Sequence, residues 1–410
     1  LAALITRNVS FVAVCIGVLP LLGAGFVTFR PNRIAAGETL TLWGAAGANS
    51  YILVFIVGAL LLLACTRVID KGDKNGGDEN GVGKPGGGRV ATFLLSWGAS
   101  LTVVVLLFLA GRVAAETAAE VGSIARISIG PALWLALVAL PLILIDTFSR
   151  LEPGMRRERI ILVAGAAVGA VGVAALFAGG GLDQLSIMRE YANRTARFYG
   201  EFCTHLALSG TAVLLACLLG LPLGVLAHRR ARFEGPTFFL LNILQTVPSL
   251  ALFSILIPLL AALIAAFPAL GAAGVSPIGG SPALIALTAY SLLPIVRNTH
   301  TGFKAVDPAI VDAGAGMGMT RTQLLWQIEL PIASPIILGG VRIALVQAIG
   351  LTAVAALIGA GGFGVFIFQG LGQAAEDLIL LGALPTVAIA VVADTLMQAL
   401  IALARPKGLR

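Results

Sequence analysis

Two opposite charges set inside hydrophobic runs, Arg342 and Asp394, are the residues of this 410-residue sequence whose chemistry most demands an explanation. Arg342 stands about ten residues into a run at 332–358, and Asp394 about ten residues before the end of a run at 378–404. At about 1.5 Å per residue, both lie roughly 15 Å from the same membrane boundary, near mid-depth. An isolated charge there is costly, so the spacing predicts an ion pair that joins the two helices, with a proton or substrate relay as the functional rival. Gln347 and Gln398 are further polar candidates for a pathway. Covalent and metal chemistry find less support. Cys15, Cys65, Cys203 and Cys217 form no Cys-x-x-Cys pair, and His205, His228 and His300 lack ligand spacing, so no metal or redox centre is expected. Gly83-Lys84-Pro85-Gly86-Gly87-Gly88 invites a phosphate-loop reading. That reading fails, because Asp78 occupies the first glycine position and Pro85 the hydroxyl position of Gly-x-x-x-x-Gly-Lys-Ser/Thr. Any ATPase that drives this chain is therefore expected to be another polypeptide.

A polar island at Asp307–Pro331 offers a different kind of chemistry, that of a docking surface. Asp307 can cap a helix whose first residue is Pro308, which needs no hydrogen bond there. Gly318 supplies the reversible backbone that ends it. Thr320 and Gln323 have capping-box spacing, and they open a second helix in which Leu324, Leu325 and Ile328 share a face, with Pro331 as the next boundary. Two readings fit this pattern: an amphipathic loop lying on the membrane, or a site that grips a partner.

The elements that carry these residues must be membrane helices. With 58% hydrophobic and 11% charged residues and a mean hydropathy of +0.98, the chain has too little polar surface for a soluble domain. Hydrophobic segments occur at 9–29, 44–65, 90–110, 130–148, 160–178, 203–227, 237–266, 281–296, 332–358 and 378–404, which predicts an all-α polytopic protein of about ten spans. The first lacks a convincing cleavage site before Arg30 and is read as a helix. If the N-terminus is cytoplasmic, most Lys and Arg fall on that side, among them Arg67, Lys71, Lys74, Arg156, Arg157, Arg229, Arg230, Arg232, Arg405 and Lys407. The positive-inside rule then places both termini and the polar island in the cytoplasm. The net charge of +7 needs no nucleic-acid partner.

The island resembles the EAA loop of ABC importer permeases, in which Glu-Ala-Ala, three residues, Gly, nine residues and Ile-x-Leu-Pro follow in order. Asp312, Ala313, Gly314, Gly318, Ile328, Leu330 and Pro331 fall at that spacing, with Asp312 in place of Glu and Gly314 in place of Ala. Gln245-Thr246-Val247-Pro248, Tyr290-Ser291-Leu292-Leu293-Pro294-Ile295-Val296-Arg297 and Ile358-Gly359-Ala360-Gly361-Gly362-Phe363-Gly364 are similar to segments of the permeases of osmoprotectant importers. Pro248 and Pro258 either kink a packed helix or free carbonyls toward a pathway. The Gly359–Gly364 cluster is read as a flexible external turn rather than a phosphate site.

The resemblance, confined to the second half, implies a type I permease core at 203–410 with a cytoplasmic coupling loop at 297–331; the hydrophobic segments before it are read as a five-helix extension at 1–180 with a flexible loop at 66–90, and 181–202 as an external linker. It implies a transmembrane permease subunit for solutes such as glycine betaine or choline, coupled to the ATPase through Asp312, Ala313, Gly314, Gly318, Ile328, Leu330 and Pro331. Gln245, Pro248, Tyr290 and Gln347 are its pathway candidates. No cofactor is expected on this chain; ATP and Mg belong to separate cytoplasmic ATPase subunits. A second permease subunit, an external or periplasmic binding protein and membrane lipid complete the expected partners, in the bacterial cytoplasmic membrane. With 4 Trp and 4 Tyr, the chain is poorly equipped for an aromatic cage, so selectivity is assigned to the binding protein. The alternatives are a permease for an amino acid such as methionine, a secondary transporter or channel, or a membrane scaffold.

Overall fold

In a computed structural model, the described residues are 9–32, 36–46, 58, 86–122, 124–149 and 156–405. The chain forms two units that divide between Ala192 and Asn193. Among the described residues, eight helices are long and apolar enough to cross a membrane.

The first unit opens with helix α1 (Val9–Val18) and a 3-10 turn at Leu19–Leu22, followed by strands β1 (Gly25–Arg30) and β2 (Glu38–Thr41) and the short helix α2 (Leu42–Ala46). Helix α3 (Gly86–Val121), strand β3 (Arg126–Ile129), and helices α4 (Pro131–Ser149), α5 (Arg156–Ala178) and α6 (Ser186–Ala192) complete it. The expected span at 9–29 is therefore too short to cross. Pro20 and Gly23 stop the helix, and the β-branched and aromatic run Phe26-Val27-Thr28-Phe29 continues as strand. The sheet runs β2-β1-β3, all antiparallel, pairing Val27 with Ile129 and Phe29 with Ile127. Leu133, Ala136, Leu140 and Ile143 recur at helical spacing on α4 and are fully buried, together with Phe26 and Val27. Helices α3 and α5 close on small residues: a Cβ at Gly165 or Gly169 would lie 2.6 and 2.7 Å from Ser96 Oγ and Ser100 Cβ. Such four-residue spacing lets backbones approach where lipid removes the hydrophobic drive. The expected span at 44–65 past Ala46, apart from Gly58, lies outside the described residues. So does the loop at 66–90 as far as 85; its last five residues open α3.

The second unit comprises α7 (Thr195–Arg229), α8 (Ala231–Thr246), α9 (Ser249–Ala266), α10 (Pro268–Ala272), α11 (Gly280–Lys304), α12 (Pro308–Gly316), a turn at Arg321–Gln323, a π-helical segment at Leu324–Glu329, α13 (Leu330–Ala355), α14 (Gly364–Gly372) and α15 (Glu376–Ala404). The stretch 181–202, expected as a linker, is thus largely helical, with α6 in the first unit and α7 opening the second. Helix α7 carries Ala212, Ala216, Gly220 and Gly224 as a buried stripe, and α13 carries Gly340, Ala344 and Ala348. Both pack on α11: a Cβ at Gly224 would lie 2.6 Å from Thr299, and one at Gly340 2.5 Å from Asn298. The expected span at 237–266 is two helices, because Pro248 offers no N–H and holds Val247 extended between α8 and α9.

Candidate docking and pathway sites

Helix α12 is built by local capping. The Asp307 carboxylate accepts from Ala309 N at 2.9 Å, and Pro308 occupies the first turn. At the other end, Met319 N donates to Gly314 O at 3.2 Å and Gly318 N to Ala315 O at 2.9 Å. This Schellman closure requires the left-handed backbone that Gly318 adopts at φ +86°. Thr320 and Gln323 form the capping box, with Thr320 N donating to Gln323 Oε1 at 2.8 Å. Asp312 and Ala313 are exposed, as are Met317 and Trp326, whereas Gly314 is buried. A Cβ on Gly314 would stand 2.7 Å from both Leu324 and Ile328, so the glycine lets the two short helices close on each other. Gly314, which stands in place of Ala, is thus the contact point of a tight pair.

The second helix does not stop at Pro331. Leu330 N donates to Leu325 O, an i to i−5 bond, and the chain runs on from this π segment into α13 without a break. The wider turn relieves the crowding that Pro331 would impose on an ordinary α-turn. Within the same segment, Glu329 is only 4% exposed and forms an ion pair with Arg229, the last residue of α7. No spacing rule singles out this pair. Its one sequence signal is an acid within an apolar run, and nothing distinguishes Arg229 from Arg230 or Arg232.

Arg342 and Asp394 meet between α13 and α15, with Nε–Oδ1 at 2.5 Å and Nη2–Oδ2 at 2.9 Å. Gln398, one turn on, donates to Asp394 Oδ2 at 2.6 Å. Both charged side chains stay about a third exposed, at 37% and 31%. Gln245 Nε2 donates to Tyr290 O at 2.6 Å, while the Tyr290 hydroxyl donates to Val247 O at 2.5 Å. These two residues brace the break at Pro248 against α11, and Tyr290 is buried rather than open to a pathway. Gln347 is half-buried on α13, apart from this brace.

The Gly359–Gly364 segment, expected to be flexible, is pinned. Gly362 N donates to Glu201 Oε2 at 2.7 Å, and Phe363 N to His205 Nδ1 at 3.3 Å. That assignment leaves the proton of the neutral imidazole on Nε2, which donates to Ile349 O at 3.0 Å. Gly359, Gly361 and Gly362 all have φ near +80°, a conformation suited to glycine.

A helical membrane core in which small-residue stripes bring α7, α11 and α13 together, with a pair of capped short helices between α11 and α13, defines the transmembrane component of a transporter. Residues 217–407 match the family described as binding-protein-dependent transport system inner membrane component. Residues 6–73 and 85–188 match the N-terminal domain of the ABC transporter permease YehY. The osmoprotectant import permease protein OsmW of Salmonella typhimurium is 42% identical over 206 residues, spanning 50% of this chain and 91% of that protein. The glycine betaine/carnitine/choline transport system permease protein OpuCD of Bacillus subtilis is 39% identical over 198 residues, 48% of this chain and 80% of that one. The chain belongs to the ABC importer permeases of the osmoprotectant family.

Proposed function

We propose that this chain is the transmembrane subunit of an ATP-driven importer for small quaternary-ammonium osmoprotectants such as glycine betaine or choline. The relatives named for glycine betaine, choline and carnitine support that solute class over an amino acid such as methionine. The observation that carries the coupling role is α12 itself: a capped helix seated on the π segment through Gly314, presenting Asp312, Ala313 and Met317 outward. Separate ATPase subunits, which hold ATP and Mg, dock on that face at the cytoplasmic side of the bacterial inner membrane. Gly318, Ile328, Leu330 and Pro331 keep the docking helix in register with α13. A binding protein delivers solute to the outer mouth formed with a second permease subunit, and both termini of this chain lie in the cytoplasm.

The chain performs no covalent step in this scheme. ATP binding closes the ATPase dimer, the docked helices move with it, and the difference in affinity of the two permease conformations for ATPase and solute supplies the coupling. Arg342 and Asp394 hold α13 and α15 together as the pathway changes access. The test is co-purification and coupling with the partner ATPase: wild-type permease retains it, and Asp312→Ala weakens retention or uncouples hydrolysis. Unaltered retention and coupling in that variant reduces α12 to a surface loop.

A further inference from the structure

The geometry points to Arg229 and Glu329 as a positioning pair that carries movement of the docking helix α12 into α7, the first helix of the second unit. The inference rests on the reading of α12 as the ATPase-docking helix. The π segment at Leu324–Glu329 has two contacts on opposite business. Leu324 and Ile328 lie against α12 where Gly314 has no side chain, and Glu329 pairs with Arg229 at the end of α7.

A π segment is a rare interruption of the regular helical turn, found frequently at functional sites, and by itself it is the place where a displacement of α12 would be absorbed. The ion pair opposes that. Glu329 is buried, and a buried carboxylate parted from its partner is costly, so Arg229 and Glu329 move together. Nor is there slack beyond Arg229. Gly224 seats α7 on Thr299 of α11, and the His228 ring lies 5.9 Å from those of both His300 and Phe303. A shift of α12 is therefore passed to α7 and α11 as a unit rather than lost in the connecting turn. The rival explanation is that the pair only neutralises a buried acid.

The experiment uses the assembled importer, with its ATPase and binding protein, in proteoliposomes supplied with labelled glycine betaine. Solute taken up per ATP hydrolysed is measured for wild type, Glu329→Gln, Arg229→Gln and the charge exchange Arg229→Glu with Glu329→Arg, at matched assembly and melting temperature. A pair that only satisfies a buried acid leaves that ratio unchanged in molecules that assemble. Each single variant is expected to lower it about tenfold, a magnitude typical of one coupling interaction, and the exchange to recover part of it. If Arg229→Gln does not assemble because it leaves a buried acid unpaired, Glu329→Gln decides alone by the same criterion, since its neutral amide carries no buried charge. A wild-type ratio in assembled Arg229→Gln overturns the inference. Asp312→Ala runs alongside: if it uncouples while the pair variants do not, the pair fails and the docking reading stands, whereas no effect of Asp312→Ala removes the docking reading itself.

Discussion

Gly314 shows how a single missing methyl sets the geometry of the docking surface. A side chain there meets Leu324 and Ile328, the ends of flexible residues that can yield to one carbon but not to a branched group. Gly314→Ala should be tolerated, while Gly314→Val should destabilise by about 1–3 kcal/mol through overpacking, read as a lower melting temperature in detergent. Gly318 is constrained by backbone instead: at φ +86° an L-residue is strained, and Gly318→Ala should cost about 1 kcal/mol and loosen the elbow. His205→Ala should be worse than its lack of charge suggests. It strands the buried Phe363 N–H, which costs about 1–3 kcal/mol, and hydrogen exchange at Gly362 and Phe363 should rise with it.

Helices and their breaks divide into those that the sequence carries locally and those that it does not. The caps that open α12 and the helical turn after it were legible because Asp307 with Ala309 and Thr320 with Gln323 are contacts within one turn. The meeting of Arg342 and Asp394 was legible because helical rise is fixed, so two charges equally far from the ends of adjacent runs fall at one level. Pro331 misled because its effect depends on the turn before it, and a π segment lets the helix pass. The Arg229–Glu329 and Glu201–Gly362 contacts were hidden because they join residues 100 and 161 positions apart, which no spacing pattern encodes. At this scale the α13–α15 pair gives a clear expectation. Asp394→Ala leaves Arg342 facing an apolar belt and should lower thermal stability more than Asp394→Asn, while exchanging both charges should restore much of it.

The whole chain reads as a transport core preceded by a unit of its own. The first unit buries its own core around Phe26, Leu106, Leu133 and Leu140, and the second is held by the α7, α11 and α13 stripes. Separate cores predict that a chain beginning at Asn193 still inserts and retains the ATPase; loss of ATPase retention would mean that the first unit is needed to build the docking surface. Eight of the ten expected spans are found among the described residues; that at 44–65 lies almost wholly outside them, and that at 9–29 gives way to strand after Leu22, a change that apolar composition does not signal. The central claim is that ATP drives solute through this core by way of α12. Uptake of labelled glycine betaine into proteoliposomes, with the ATPase facing enclosed ATP or its nonhydrolysable analogue, tests it most directly. Uptake that requires hydrolysable ATP and is lost in Asp312→Ala is the predicted result; uptake that proceeds without hydrolysis, or is undiminished in that variant, would contradict it.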